Sequence, residues 1–218
     1  MEYHNGHIFQ WVSVITENIV EIFIIVAHKI GRWYVKKYNI HTAIEKNVNS
    51  NYFTGRVNIR EIIAEEISAE QEMYHVTFHE GALTTLHFHE SDQILIATYG
   101  KGVVGLMKGG SVLRAEVDTD SITFMNEGDT VCIPANIVHF HGALDGEDLS
   151  HIAIMKRYIT DRGEKGSLKR SATRWEYDLL QQENPKRGES VEKFINAAQN
   201  EIRDRIQLAI SKKLTSRD

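Results

Sequence analysis

The sequence predicts an all-β domain, a barrel or sandwich of short strands, between a helical N-terminal region and a C-terminal helix. Between about Tyr52 and Tyr158, short β-rich runs alternate with turn signals at near-regular spacing. On either side the apolar spacing turns helical. Within the β-rich region two glycine-punctuated segments each carry a His-X-His pair, His87 and His89 in the first and His139 and His141 in the second.

In chain order, residues 1 to about 48 read helical, because proline is absent and apolar positions are dense. From Ile8 to Ile30 the run is long enough to span a bilayer. Glu17 and Glu21 sit near its middle, where each acid would cost roughly 2.5–3.5 kcal/mol. A basic start and a small-residue cleavage site are not evident, so a secretory leader is not expected. The favoured reading is an amphipathic helix packed on the domain or on a partner subunit. Asn49-Ser50-Asn51 then breaks the pattern. Strands are expected at Val57–Ile63, Met73–Phe78, Gln93–Tyr99, Gly102–Met107, Ser121–Met125, Thr130–Ile133, Ile137–His141 and His151–Met155. Gly100-Lys101-Gly102, Gly109-Gly110, Gly128-Asp129 and Asp145-Gly146 mark turns. Residues 159 to about 188 are polar and without clear period. From Ser190 to about Leu214, Val191, Phe194, Ile195, Ala198, Ile202, Ile206, Ala209 and Ile210 form a helical stripe, read as a docking face. The expected organisation is a helical extension over 1–50, a barrel over 51–158, and a linker with amphipathic helix over 159–218.

Composition narrows the function classes. With 218 residues, the chain holds one sizeable domain plus extensions, or two small ones. A net charge of −5 and a pI near 6.1 argue against a nucleic-acid binder. Cys132, the single cysteine, excludes an internal disulfide and fits a reducing, cytoplasmic setting.

The paired histidines point to a metal site. Residues two apart on a strand leave the same face, so each pair projects both imidazoles together. Neutral imidazole is the commonest ligand for borderline divalent ions, and Gln93 offers an amide oxygen nearby. One such pair is also found on ordinary strand surface. Two pairs framed by turn glycines are harder to read that way, since converging buried imidazoles without a metal would each need a hydrogen-bond partner.

The two segments resemble the two signature motifs of the cupin superfamily. Gly81, His87, His89 and Gly100 fit the first motif, with Gln93 where most cupins carry glutamate. Gly128, Pro134 and His139 fit the second, with Asn136 where glycine is usual. Asparagine tolerates the left-handed turn better than most residues. Phe53-Thr54-Gly55-Arg56-Val57, the glutamine variant, His139-Phe140-His141-Gly142-Ala143 and His151-Ile152-Ala153-Ile154 are similar to a narrower small-cupin subgroup. That subgroup is associated with carboxymuconolactone decarboxylases and includes manganese-dependent hydroxynitrile lyases. The resemblance covers roughly residues 52 to 156. It implies a double-stranded β-helix (jelly-roll) barrel with one divalent ion, manganese first and iron, zinc or nickel as alternatives. It implies His87, His89, Gln93 and His139 as ligands. Their uncharged donor set would leave the ion its full charge and make it a stronger Lewis acid. His141 falls outside that set, as a residue orienting a ligand or as the general base.

The expected activity is lyase-type bond cleavage of a small organic molecule. An iron- or manganese-dependent dioxygenase and a non-catalytic small-molecule sensor are the alternatives. His151 is read first as a strand residue with a structural bond and second as a member of the same pocket as His141, and Cys132 as packing. Trp175 is read as either a cover over the barrel mouth or an anchor for the C-terminal helix. A homo-oligomer, most simply a two-fold dimer, is expected from the apolar faces of both terminal helices.

Overall fold

The computed structural model describes residues 35–109, 115–160, 167–182 and 191–216. Contacts divide the chain into two units, Met1–Lys37 and Tyr38–Asp218, and the second carries everything below. The apolar segment from Ile8 to Ile30 lies outside the described residues.

The helical reading of residues 1–48 does not hold over 35–48. Those residues form turns and a short strand, β1 (Ile44–Lys46), paired with β2 (Val57–Ile63). Asn49 caps the 3-10 turn Ser50–Tyr52, its side chain accepting from the Asn51 amide. The polar break is therefore a turn with its own hydrogen bonds.

The strands follow as β3 (Gln71–Phe78), β4 (His87–His89), β5 (Gln93–Lys108), β6 (Glu116–Val117), β7 (Thr123–Asn126), β8 (Thr130–Ile133), β9 (His139–Ala143) and β10 (Leu149–Lys156). They build a curled antiparallel sheet in the order β1-β2-β3-β10-β5-β9-β4-β13, with β13 at Thr173–Trp175. β6, β7 and β8 also pair with β5, which spans both halves of the curl. The sequence suggests two strands where β5 is one. Gly100 is the bend between them, at φ +78°, where a Cβ would collide with the Asp148 carbonyl. Gly105 faces Phe140 in register, and a side chain there would strike the ring.

The polar stretch after residue 158 is more ordered than its composition suggests. β11 (Tyr158–Thr160) and β12 (Leu168–Arg170) form a hairpin. β13 adds to the main sheet against β4, and α1 (Glu176–Gln182) follows it directly. α2 (Val191–Thr215) buries Ile195, Ala198, Ile202, Ile206, Ala209 and Ile210, the face read from the sequence. Four of these, from Ile202 to Ile210, pack with Leu83, Leu86, Val103 and Phe140 on the outside of the curl. The docking face of the last helix is thus covered within the chain. The inner core is a second cluster around Phe78, Leu95, Val104, Met125 and Leu149. No helix among the described residues is long and apolar enough to cross a membrane.

Candidate metal centre

Strand alternation places the histidines. On β9, His139 and His141 face inward, while Phe140 between them packs in the outer cluster beneath α2. On β4, His87 pairs directly across from His139 on one side and from Trp175 on the other. Trp175, His87 and His139 therefore form one row across three strands. His87, His139 and His141 offer ring nitrogens that all lie within 4.8 Å of one another. His89 stands outside that triad, its ring 5.0 Å from His87 and 5.5 Å from His139 between centroids. Gln93 is buried beside them.

Hydrogen bonds fix which nitrogen faces inward. His87 Nδ1 is 3.0 Å from the Thr85 carbonyl and His139 Nδ1 is 2.8 Å from the Ile137 carbonyl. A carbonyl only accepts, so each Nδ1 carries the proton and each Nε2 presents a lone pair. His89 Nδ1 lies 2.8 Å from Thr173 Oγ1, across the β4–β13 pair, and its buried Nε2 has no hydrogen-bond partner among the described residues. Gln93 Oε1 faces His139 Nε2 at 3.1 Å, while its amide nitrogen is 3.7 Å from Met155 Sδ. Two electron-rich atoms so close are stabilised by a cation beside them. The opposite amide orientation would instead make an ordinary hydrogen bond. Inward lone pairs, outward N–H groups held by protein oxygens and a neutral amide oxygen fit a divalent ion.

Burial keeps these rings uncharged. It depresses the pKa of His87 and His141 well below the usual value, that of His89 to about 3 and that of His139 to about 4. Neighbouring imidazoles add to the effect at His87, His89 and His141. His141 is clamped through its backbone. Its N–H donates to Thr84 Oγ1 at 3.0 Å and its carbonyl accepts from the Thr84 N–H at 2.8 Å. Its Nδ1 is buried without a hydrogen-bond partner among the described residues.

Of the two readings of His151, a structural bond and a place in the pocket, the structure shows the second, with His151 lining the cavity. Both ring nitrogens are buried without a hydrogen-bond partner among the described residues, and its ring lies 5.1 Å from that of His141. Alternation along β10 turns it inward together with Leu149 and Ala153, which lie in the inner core cluster. Burial depresses its pKa to about 3. Cys132, expected to pack, is exposed. Asn136 takes the left-handed conformation at φ 63°, and its N–H donates to the His89 carbonyl at 2.7 Å. Trp175 stacks on His87 at 4.4 Å and on Tyr52 at 4.5 Å, and it lines the cavity.

The cavity holds about 210 Å³ and is lined by His87, His89, His141, His151, Gln93 and a mostly apolar wall. That is smaller than the roughly 300–1,000 Å³ of common ligand pockets, and suits a small molecule. Thr173 and Thr84, which hold His89 and His141, were not legible as site residues, since nothing in their local sequence marks the distant partner.

The model of the family described as Cupin matches residues 70–168. An (R)-mandelonitrile lyase from Granulicella tundricola is 30% identical over 108 residues, covering 50% of this chain and 74% of that protein. The chain is a cupin. Among solved structures, this cupin is similar to a cupin-like protein from Thermotoga maritima at 28% identity, covering 66% of this chain and 88% of that one, with a TM-score of 0.44. Oxalate decarboxylase from Bacillus subtilis shares the fold at 16% identity and a TM-score of 0.50, covering 76% of this chain and 40% of that one. The expectation of a cupin barrel with a C-terminal helix stands, and the histidine cluster of this cupin is suited to a divalent ion.

Proposed function

We propose that the protein is a metal-dependent lyase that cleaves a small, mainly apolar hydroxyl compound, with His87, His89, Gln93 and His139 holding the ion and His141 as the base. The observation that carries this reading is His141 itself, an uncharged imidazole in the cavity beside His87 and His139, with a buried Nδ1 that has no hydrogen-bond partner among the described residues. A divalent ion, manganese in the first instance, would supply Lewis-acid polarisation of a substrate oxygen.

The chain's own residues supply the rest. The backbone clamp from Thr84 holds His141 in place, and its depressed pKa keeps it able to accept a proton at neutral pH. Proton removal from a cyanohydrin hydroxyl lets the C–C electron pair leave with cyanide as the carbonyl forms. The proton then passes from His141 to the cyanide. Phe53, Phe78 and Met155 line the cavity and keep water from the reacting carbon, while Trp175 covers the face of His87. The (R)-mandelonitrile lyase likeness supports the substrate class, since mandelonitrile is the cyanohydrin of benzaldehyde.

The test is release of benzaldehyde and cyanide from mandelonitrile by tag-free protein under nitrogen, before and after chelation. Turnover without oxygen, abolished by chelator and restored by Mn²⁺, is expected. Inertness toward cyanohydrins together with oxygen uptake on phenols or diketones would replace this reading with a dioxygenase.

A further inference from the structure

The inner face of the sheet carries a polar group on the side away from the histidines. In register across three strands, Gln93 of β5 faces Met155 of β10, and Met155 faces Glu72 of β3. The next inward row is Leu95, Ala153 and Tyr74. Glu72 and Tyr74 line the same cavity as Gln93 and His141. At a strand spacing of about 4.8 Å, Glu72 stands roughly 10 Å from Gln93 along the backbone, a span that one aromatic ring fills once the side chains reach inward.

Glu72 is held in a defined orientation. Its Oε2 takes the Tyr74 hydroxyl at 3.4 Å and Arg157 Nη1 at 3.5 Å. Arg157 is buried and fixed by the carbonyls of Ser68, Ile63 and Gln71 at 3.2–3.3 Å. Oε1 makes no hydrogen bond among the described residues. Between this carboxylate and the histidines the wall is Met155, Ala153, Val76 and Phe78. One acceptor at the far end of an apolar slot recognises one donor.

We propose that Glu72 is a specificity-determining residue whose Oε1 accepts a hydrogen bond from a neutral hydroxyl at the end of the substrate remote from the histidines. The assignment rests on the lyase reading for which end of the molecule faces the histidines. The substrate class is then a para-hydroxylated aromatic aldehyde or its cyanohydrin, and an acid at the same position is rejected by like charge. Burial raises the pKa of Glu72, and the same partial desolvation strengthens a hydrogen bond to it.

The test is equilibrium binding of benzaldehyde, 4-hydroxybenzaldehyde and 4-carboxybenzaldehyde to the full chain loaded with Zn²⁺, read by calorimetry without turnover. The hydroxyl compound should bind roughly tenfold tighter than benzaldehyde, the scale of a hydrogen bond to a charged group, and the acid more weakly than either. Glu72→Gln should reduce the hydroxyl preference, taken as the ratio of the two affinities, to about threefold or less, since an amide oxygen is a neutral acceptor. Tyr74→Phe should keep the preference. Equal binding of benzaldehyde and its hydroxyl derivative by the unmutated protein overturns the Glu72 assignment alone. Loss of the preference in Tyr74→Phe but not in Glu72→Gln moves the acceptor to Tyr74, and tightest binding of the acid makes Arg157 the recognising group. Either overturns the proposal. Failure of all three aldehydes to bind overturns both it and the lyase reading.

Discussion

His141 and His87 are neighbours in one cluster, yet their surroundings separate their roles. The Nδ1 of His87 is committed to the Thr85 carbonyl, which turns its Nε2 inward as a lone pair, whereas Nδ1 of His141 has no hydrogen-bond partner among the described residues. His141→Ala is expected to leave metal content intact and to lower turnover of mandelonitrile by roughly 10²–10⁴, the scale of a positioned base. Metal content by mass spectrometry decides the point. Because His141 lies within 4.8 Å of His87 and His139, loss of the ion in this variant would make it a ligand and send the search for the base to His151. Gln93→Glu tests a different quantity. An added negative charge weakens the pull of a divalent ion on a developing oxyanion, so the variant should keep metal and turn over more slowly. Faster turnover would refute the role given to an uncharged donor set.

At the scale of elements, the junction of β13 and α1 ties the C-terminal region to the histidines. Glu176, the first residue of α1, exchanges two backbone-directed bonds with Leu86. Its N–H donates to the Leu86 carbonyl at 2.7 Å, and its Oε2 accepts from the Leu86 N–H at 2.9 Å. Leu86 is the residue before His87, so this contact sets the start of β4. Burial raises the Glu176 pKa from 4.5 to about 7, partly offset by the Leu86 bond and by Arg205. The sign follows from linkage: the folded carboxyl holds its proton where the unfolded one has lost it, so this group lowers stability as pH rises from 4.5 to 7. Complete ionisation would remove up to roughly 3 kcal/mol. Glu176→Gln keeps an acceptor for Leu86 without the charge. Its stability relative to the unmutated protein, from urea midpoints, should rise between pH 5 and pH 8. A constant difference across that range would show that Glu176 does not titrate there.

For the whole molecule the histidines dominate acid behaviour with the opposite sign. His89, His139 and His151 have folded pKa values near 3, 4 and 3, and His87 and His141 lie well below 6.5. Unfolded chains take up these protons as pH falls through 6.5 while the folded one resists, so stability is present above 6.5 and lost below it. His139 alone is worth roughly 3 kcal/mol. In chelator, the urea midpoint should therefore fall steadily from pH 7 to pH 5, and a flat or rising profile would contradict neutral burial of the cluster. The apolar face of α2 is covered inside the chain. A dimer, if light scattering finds one, must therefore draw its interface from other surfaces.

Local chemistry made much of this protein readable from its sequence. Alternation on β9 and β4 put the imidazoles on one face, the stripe from Val191 to Ile210 gave the last helix, and Asn136 kept the turn conformation that glycine usually takes. These properties depend on residues within a few positions of one another. Long-range pairing decided the rest. Thr173 reaches His89 and Trp175 reaches His87 only because β13 joins the sheet after a polar stretch with no period of its own. His151 came to stand against His141 in the cavity through the place of β10 between β3 and β5 in the sheet. Glu72 gained a place opposite the histidines because three strands share a register. Side-chain period fixes which way a residue points, but its neighbours across the sheet are set by how distant strands align, and no local pattern encodes that alignment.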